Sequence, residues 1–487
     1  MSMTDLQIVD TTMRDGQLSV WATQMSTAMI EPVAHHFEEA GLRAAELLSS
    51  AFFKKVVRDL HDDPFERIRR IKAAMPTTPL RVIHTRQALA FQITPPELYE
   101  RWTRRLAANG IDEIRLSDPS NTPASWERNI ATASASGIRV IVSLVFSVSP
   151  KHTDDYYAVR AKAAAQLPVA GIALKDPSGL LTPERVQTLV PRIQQEIGDV
   201  PLEFHGHCNN GQGLRNAQEA VRLGIRIINT AIPPLADGAS LPDVFGVLDN
   251  AAALGVSSSV APEPLRAISG HLERVRLAHG FPEGRTASFE ESYYRHQVPG
   301  GMISNLRRQL EQAGMQDRLD EVLEEIGRVR QDLGYPIMVT PYSQFVGIQA
   351  VMNVMTGRRY GEVIDEVLQY ALGIWGAEEA EGIDPDVKDK LLNRSRAHEL
   401  LTAAGRGVTL DDLRKRVDGE ALTEDELLLR IFAGDDAVEQ MKETPAPDSW
   451  TAAMPWMSLL ERLAASGGFR QVLVQKNGSS LYVERQR

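Results

Sequence analysis

Short β-like runs recur at regular intervals along the first half of this chain: LQIVDTT (6–12), AAELLSS (44–50), LRVIHT (80–85), EIRLSD (113–118), RVIVSLVF (139–146), GIALKD (171–176), PLEFHGH (201–207) and RIINTAI (226–232). Amphipathic helical patterns fill the gaps, among them STAMIEPVAHHFEEAG, PPELYERWTRRLAANG, TPERVQTLVPRIQQEIG and GLRNAQEAVRLG. Several stop at a glycine, which takes left-handed backbone angles without a Cβ clash. Eight strands alternating with helices over about 250 residues predict an α/β fold, the (β/α)8 TIM barrel. A doubly wound sheet is the competing arrangement, but it rarely carries eight such even units.

In a barrel, function gathers at the carboxyl ends of the strands. Those ends carry Asp10, Arg14 and Asp15 after the first run, Glu46 in the second, Arg86 after the third and Asp118 after the fourth. Lys175 and Asp176 end the sixth, and His205 and His207 end the seventh. The opposite strand ends show nothing comparable, so the distribution itself points to an active site.

Beyond about residue 270 the strand pattern stops and helical patterns take over, from NLRRQLEQAG to TEDELLLRIF. TPAPDS (444–449) reads as a linker, and RQVLVQKNGSSLYVER as two strands joined by an Asn-Gly turn. The expected organisation is a barrel over 1–300, a helical region over 301–443 and a linker with a β-hairpin tail over 444–487. A net charge of −11 argues against nucleic-acid or anionic-membrane partners. The lone Cys208 forbids an intrachain disulfide, and no apolar run approaches the ~20 residues of a membrane span. With no signal-peptide pattern at the N-terminus, the expected location is cytoplasmic.

HGH places His205 and His207 at i and i+2 of a strand, where side chains share one face, so both imidazoles can hold one ion. Asp15 adds a carboxylate from strand one, and the three form a divalent-metal set; the alternative for Asp15 is an N-cap of the following helix. A lysine ammonium has no lone pair for a metal. Beside a cation its pKa falls, and the neutral amine of Lys175 can add CO2 to give a carbamate whose oxygens do ligate. A salt bridge from Lys175 to a barrel carboxylate is the alternative. Arg86 and Arg14 suit an anionic substrate, because the guanidinium fork binds a carboxylate in bidentate fashion; each can instead pair with Glu46, Asp118 or Asp176. There is no P-loop.

These residues resemble a known family. DTTMRDGQLSVWATQM, DPFERIRRIKAAMP, GIALKDPSGLLTPE, HGHCNNGQG, YYRHQVPGGMISNLRRQ and RLDEVLEEIGRVRQDLGYPIMVTPYSQFVGIQAVMNV are similar to the carboxyltransferase segment shared by pyruvate carboxylase, the oxaloacetate decarboxylase alpha subunit and the transcarboxylase 5S subunit. The resemblance implies a barrel followed by a helical funnel. It implies a divalent metal (Zn, Mn, Co or Mg) held by Asp15, a carboxylated Lys175, His205 and His207. It also implies that Arg86 holds a 2-oxo-acid carboxylate and that Arg14 lies beside the reacting oxygen. In that family the carboxyl group travels on biotin: carboxybiotin decarboxylates and the enolate of pyruvate captures the CO2, or oxaloacetate decarboxylates in reverse.

Departures gather at the chemistry. RDGQLS puts Leu18 where the family has a glutamine that hydrogen-bonds substrate, and Gln24 stands in place of an arginine. DGASLP puts Ala239 in place of a proton-shuttling threonine and Leu241 in place of a glutamine, with Ser240 as a substitute relay. Three polar-to-apolar changes, at Leu18, Ala239 and Leu241, suggest one pocket reshaped for a less polar substrate. The substrate-binding candidates are therefore Arg14, Arg86, Gln17, Leu18, Glu46 and Ala239, and the catalytic candidates Arg14, Lys175 and Ser240. No Met-Lys-Met biotinylation tripeptide occurs, so any biotin is expected on a separate carrier protein. The expected function is a metal-dependent carboxyltransferase subunit acting on a 2-oxo acid, a homodimer served by biotin carboxylase and biotin carrier subunits. The alternatives are a biotin-independent decarboxylase or aldolase-type lyase on the same barrel, and a non-catalytic scaffold.

Overall fold

The computed structural model describes residues 5–89, 93–291, 293–298, 306, 310–311, 314–417, 422–447, 449–450, 471–476 and 479–484. Eight parallel strands close into a barrel in sequence order: β1 (Gln7–Asp10), β2 (Ala44–Ser49), β3 (Leu80–His84), β4 (Glu113–Leu116), β5 (Arg139–Val145), β6 (Gly171–Asp176), β7 (Leu202–Gly206) and β8 (Ile227–Thr230). Closure runs through β8 against β1, with Asp10 opposite Thr230. Each strand falls within the run that predicted it.

The helices follow the same logic. Pro96–Asn109 starts on a proline, whose missing N–H costs nothing in the first turn, and ends at Gly110 with φ 112°. Its Leu98, Tyr99, Trp102 and Leu106 recur at helical spacing and are buried. Trp102 meets Phe53 edge-on at 6.2 Å and stacks on Phe432 at 6.1 Å. Burying each such side chain contributes roughly 1.5–3 kcal/mol.

The floor of the barrel is charged, so the strand starts are not as bare of polar side chains as the sequence pattern implies. Arg81 on β3 donates to Glu113 on β4 (2.8 and 3.0 Å) and to both carboxylate oxygens of Glu203 on β7 (2.8 Å each). All three are buried. Arg43 and Arg139 complete Glu113 through its Oε1, so each buried charge has partners, the arrangement that makes buried charge tolerable.

The helical block expected over 301–443 divides between two cores. Residues from Val298 to Leu400 build a second hydrophobic core around Tyr342, Phe345 and Tyr370. From Leu413 to Met441 the chain packs instead against the barrel, with Leu428, Leu429 and Phe432 in the same cluster as Phe53 and Trp102. The PDVKDKLLNRSRAHELLTAAG pattern is two helices, Pro385–Leu392 and Ser395–Arg406, not one. The linker is pinned: the His61 ring meets the Thr444 carbonyl at 2.9 Å. β9 (Gln471–Lys476) and β10 (Ser479–Glu484) pair antiparallel, Lys476 opposite Ser479; the Asn-Gly turn lies outside the described residues. Among the described residues no helix is long and apolar enough to cross a membrane.

Candidate active site

After β1 the chain folds at once into the turn Thr12–Gly16, in which the amides of Arg14, Asp15 and Gly16 all donate to the Thr11 carbonyl. Asp10 braces the turn, accepting from the Thr12 amide (3.0 Å) and hydroxyl (2.7 Å). Asp15 is thereby aimed across the mouth. Its Oδ2 lies 3.4 Å from Nε2 of His205 and 3.4 Å from Nε2 of His207. Ser19 donates to its Oδ1 at 3.0 Å. The ligand atoms of Asp15, His205 and His207 all lie within 4.8 Å of one another, and all three residues are buried.

Both imidazoles are oriented from behind. Nδ1 of His207 faces the Ala239 carbonyl at 2.8 Å, and Nδ1 of His205 faces Asn229 Oδ1 at 3.0 Å. With its Nδ1 proton on the Ala239 carbonyl, His207 turns its Nε2 lone pair toward Asp15, the tautomer a metal requires, while Nδ1 of His205 also lies 2.9 Å from Nη1 of Arg115. Nε2 of His205 is buried without a hydrogen-bond partner, and a divalent ion would satisfy its lone pair. The donor set fits a metal. Burial and the adjacent Arg115 push His205 well below the usual imidazole range, so it stays neutral; burial opposes the ionisation of Asp15, yet Arg14 and His207 hold it well below the carboxylate range.

Lys175 on β6 pairs with His205 on β7 in register. Its Nζ donates to Ser117 at 2.8 Å, and among the described residues it forms no ion pair with a barrel carboxylate. Burial, with Arg115 and Arg14 nearby, pulls this ammonium down to about 7, so much of it is free amine near neutral pH. Arg14 spans two carboxylates: Nη1 lies 2.6 Å from Asp15, while Nε and Nη2 reach Glu46 at 2.9 and 2.5 Å. Glu46 also receives Arg115 at 2.9 Å. Burial opposes its ionisation, but Arg115 and Arg14 hold its carboxyl at about 2.

Several expectations change with the side chains in place. Glu46 is fully enclosed by arginines and serves as their counter-charge rather than as a substrate contact. Gln17 is buried with both amide ends used, donating to the Met13 carbonyl (2.7 Å) and accepting from the Met25 amide (3.2 Å), so it braces the loop. Leu18 is 40% exposed on the short helix Gln17–Val20, while Leu241 is wholly buried in a small cluster with Ala231 and Ala236. The polar-to-apolar changes thus do not line one pocket. Ala239 acts through its backbone, on His207. Ser240 is buried and, among the described residues, its hydroxyl has no hydrogen-bond partner. Arg86 is not free: Nη1 donates to Glu379 (2.9 Å), Ser120 (3.1 Å) and the Trp375 carbonyl.

Sequence reading missed Arg115, Ser117, Ser19 and Asn229. Period-two alternation marks the first two: Glu113, Arg115 and Ser117 share one face of β4 and its end. Asn229 sits in an otherwise apolar strand, and Ser19 one turn after Asp15.

Residues 293–462 match the family described as a conserved carboxylase domain, and residues 103–269 match the HMGL-like family. The chain is 35% identical over 390 residues to a pyruvate carboxylase subunit from Methanocaldococcus jannaschii, covering 80% of this chain and 68% of that protein. It is 31% identical over 426 residues to the corresponding pyruvate carboxylase subunit from Methanothermobacter thermautotrophicus, covering 87% and 75%. The structure of the carboxyl transferase domain of Rhizobium etli pyruvate carboxylase with oxamate and biotin superposes with a TM-score of 0.83 at 23% identity, over 93% of this chain and 80% of that one, a likeness of fold. A charged barrel, an Asp-His-His set at its mouth and these relatives agree: the chain belongs to the pyruvate carboxylase family of carboxyltransferase subunits.

Proposed function

We propose that this chain is the carboxyltransferase subunit of a biotin-dependent carboxylase, moving a carboxyl group between carboxybiotin on a separate carrier and a 2-oxo acid such as pyruvate. The observation that carries the reading is the Asp15–His205–His207 set, with two imidazole Nε2 atoms 3.4 Å from one carboxylate oxygen and Lys175 on the neighbouring strand. The relatives' names support carboxyl transfer over a biotin-independent lyase.

In this reading Asp15, His205, His207 and Lys175 hold a divalent ion of the Zn, Mn, Co or Mg type. Such an ion supplies Lewis-acid stabilisation of negative charge on a substrate oxygen. The Ala239 carbonyl keeps His207 in the ligating tautomer, and Asn229 and Arg115 fix the ring of His205. The neutral Lys175 amine attacks CO2, its lone pair forming the N–C bond and one N–H proton leaving to solvent; the carbamate anion is balanced by Arg14 and Arg115. Arg14, fixed by Glu46, stays beside the reacting centre, where a preorganised cation favours enolate charge. Arg86 orients the substrate carboxylate. Biotin on the carrier would supply the carboxyl group: as carbon dioxide leaves its nitrogen, that nitrogen would take up the proton given up by the acceptor carbon, which would then bond to the carbon of CO2. A cytoplasmic location, a homodimer and biotin carboxylase and carrier partners complete the proposal.

The test is oxaloacetate decarboxylation and pyruvate carboxylation with a purified biotinylated carrier, with and without avidin. Carrier-dependent turnover that avidin blocks is the expected result. Turnover of oxaloacetate that ignores both carrier and avidin would sink the transferase reading in favour of a lyase.

A further inference from the structure

Arg86 lies on the loop after β3, yet its guanidinium is claimed by the helical region. Glu379 Oε1 accepts from Nη1 at 2.9 Å, and the Trp375 carbonyl accepts from the same nitrogen. The pair is largely desolvated, with side-chain exposures of 12% and 6%. Thr122 donates to the same Glu379 oxygen at 3.4 Å, while Oε2 is buried without a partner. Ser120, which contacts Arg86, also meets the Tyr342 hydroxyl at 2.7 Å. Gly376 makes the contact sterically open: its φ is 150°, and a Cβ there would collide with Glu379 Oε2 and stand 2.7 Å from Arg86 Nη1.

We infer that Glu379 is a resident competitor for the substrate carboxylate, so that a 2-oxo acid binds Arg86 by exchanging its own carboxylate for that of Glu379. The inference rests on the carboxyltransferase reading above. Glu379 offers Arg86 the same chemical group as the substrate would. Asp118 is a second buried anion that acts on Arg86. Asp118 and Glu379 both face Arg86, with Lys151 a second cation near Glu379, and an incoming anion gains Arg86 as its partner only once one of these carboxylates leaves it. Asp118 is anchored in the barrel by the Ser120 amide at 3.0 Å. Glu379 rides on the five-residue helix Ala377–Glu381, flanked by Gly376 and Gly382, and is the carboxylate that leaves in this exchange. Glu379 therefore sets substrate affinity from outside the barrel and couples occupancy of Arg86 to the position of this helix.

The experiment compares wild type, Glu379→Gln, Glu379→Asp and Glu381→Gln in KM, kcat and calorimetric binding of pyruvate. Glu381 is an exposed acid on the same helix and controls for general surface charge. Glu379→Gln is expected to lower KM and the pyruvate Kd roughly tenfold, about one charge-assisted hydrogen bond, with kcat within about twofold. Glu379→Asp, with a shorter reach, should move both in the same direction by less. Glu381→Gln should match wild type. Folded Glu379 variants whose KM and Kd equal or exceed the wild-type values overturn the inference while leaving the function standing. A wild-type protein that neither binds pyruvate nor transfers a carboxyl group to any 2-oxo acid overturns the function itself.

Discussion

The carbonyl of Ala239 accepts from Nδ1 of His207 at 2.8 Å, so a residue whose side chain has lost its hydroxyl still orients a metal ligand through its backbone. Ala239→Thr should therefore leave metal content unchanged, since the carbonyl stays in place. His207→Ala removes a ligand and should reduce retained divalent metal at least tenfold after dialysis, a loss in line with that for metal-site partners. Elemental analysis of the purified variants decides the matter; full metal retention by His207→Ala would remove His207 from the site.

Among the described residues, Arg81 is the sole guanidinium bridging Glu113 and Glu203 in the barrel floor. Arg81→Met leaves Glu203, among the described residues, with only the Asn229 amide as a side-chain donor, at 3.3 Å, and should destabilise the barrel by about 3–5 kcal/mol. Arg81→Lys should also destabilise, because one ammonium cannot reproduce a planar fork bonded to two carboxylates. Urea unfolding at pH 7 reads both. A midpoint within error of wild type for Arg81→Met would show that this floor tolerates unpaired charge.

The barrel was legible because the strand runs are short, evenly spaced and separated by helices with glycine stops, signals carried by local sequence. The grouping of Asp15, His205 and His207 was legible for a related reason: HGH puts two imidazoles on one face of β7, and RDG follows β1 directly. Partners distant in sequence were not legible. Nothing near Arg86 announces Glu379, nearly three hundred positions away, and nothing in QLSV says that Gln17 turns inward while Leu18 turns out. Those choices are made by packing: the loop is tied down by Trp21, whose indole donates to the Pro282 carbonyl at 3.0 Å. A carboxylate on a barrel strand reads as a mouth residue, which favours Glu46 as a substrate contact, but Glu46 lies inside β2 and Arg14 and Arg115 surround it.

Ser240 carries a buried hydroxyl with no hydrogen-bond partner, whereas its backbone is fully used: the amide donates to Asp237 (2.9 Å) and the carbonyl accepts from Cys208 (2.8 Å). Ser240→Ala keeps both backbone bonds and removes an unsatisfied polar atom. It should leave turnover within about twofold and be neutral to stabilising by up to about 1 kcal/mol. A hundredfold loss of kcat with metal intact would restore Ser240 as a proton relay.

His84 on β3 stacks on Tyr99 with ring centroids 4.2 Å apart, and neither ring nitrogen has a hydrogen-bond partner. Burial pushes its pKa down to about 3, against about 6.5 in the unfolded chain. The folded state thus holds a neutral imidazole while the unfolded state takes up a proton below pH ~6.5. Stability from this group is complete above that pH and is lost as pH falls from about 6.5 toward 3, at up to ~1.4 kcal/mol per unit. His152, likewise held down at about 3 by burial and by Arg330, adds to the same trend. His84→Phe keeps an aromatic ring against Tyr99 and removes the titration. Its melting temperature should equal or exceed wild type at pH 7 and fall less between pH 7 and 5. Parallel melting curves for the two proteins across that range would show that His84 is not the group being protonated on unfolding.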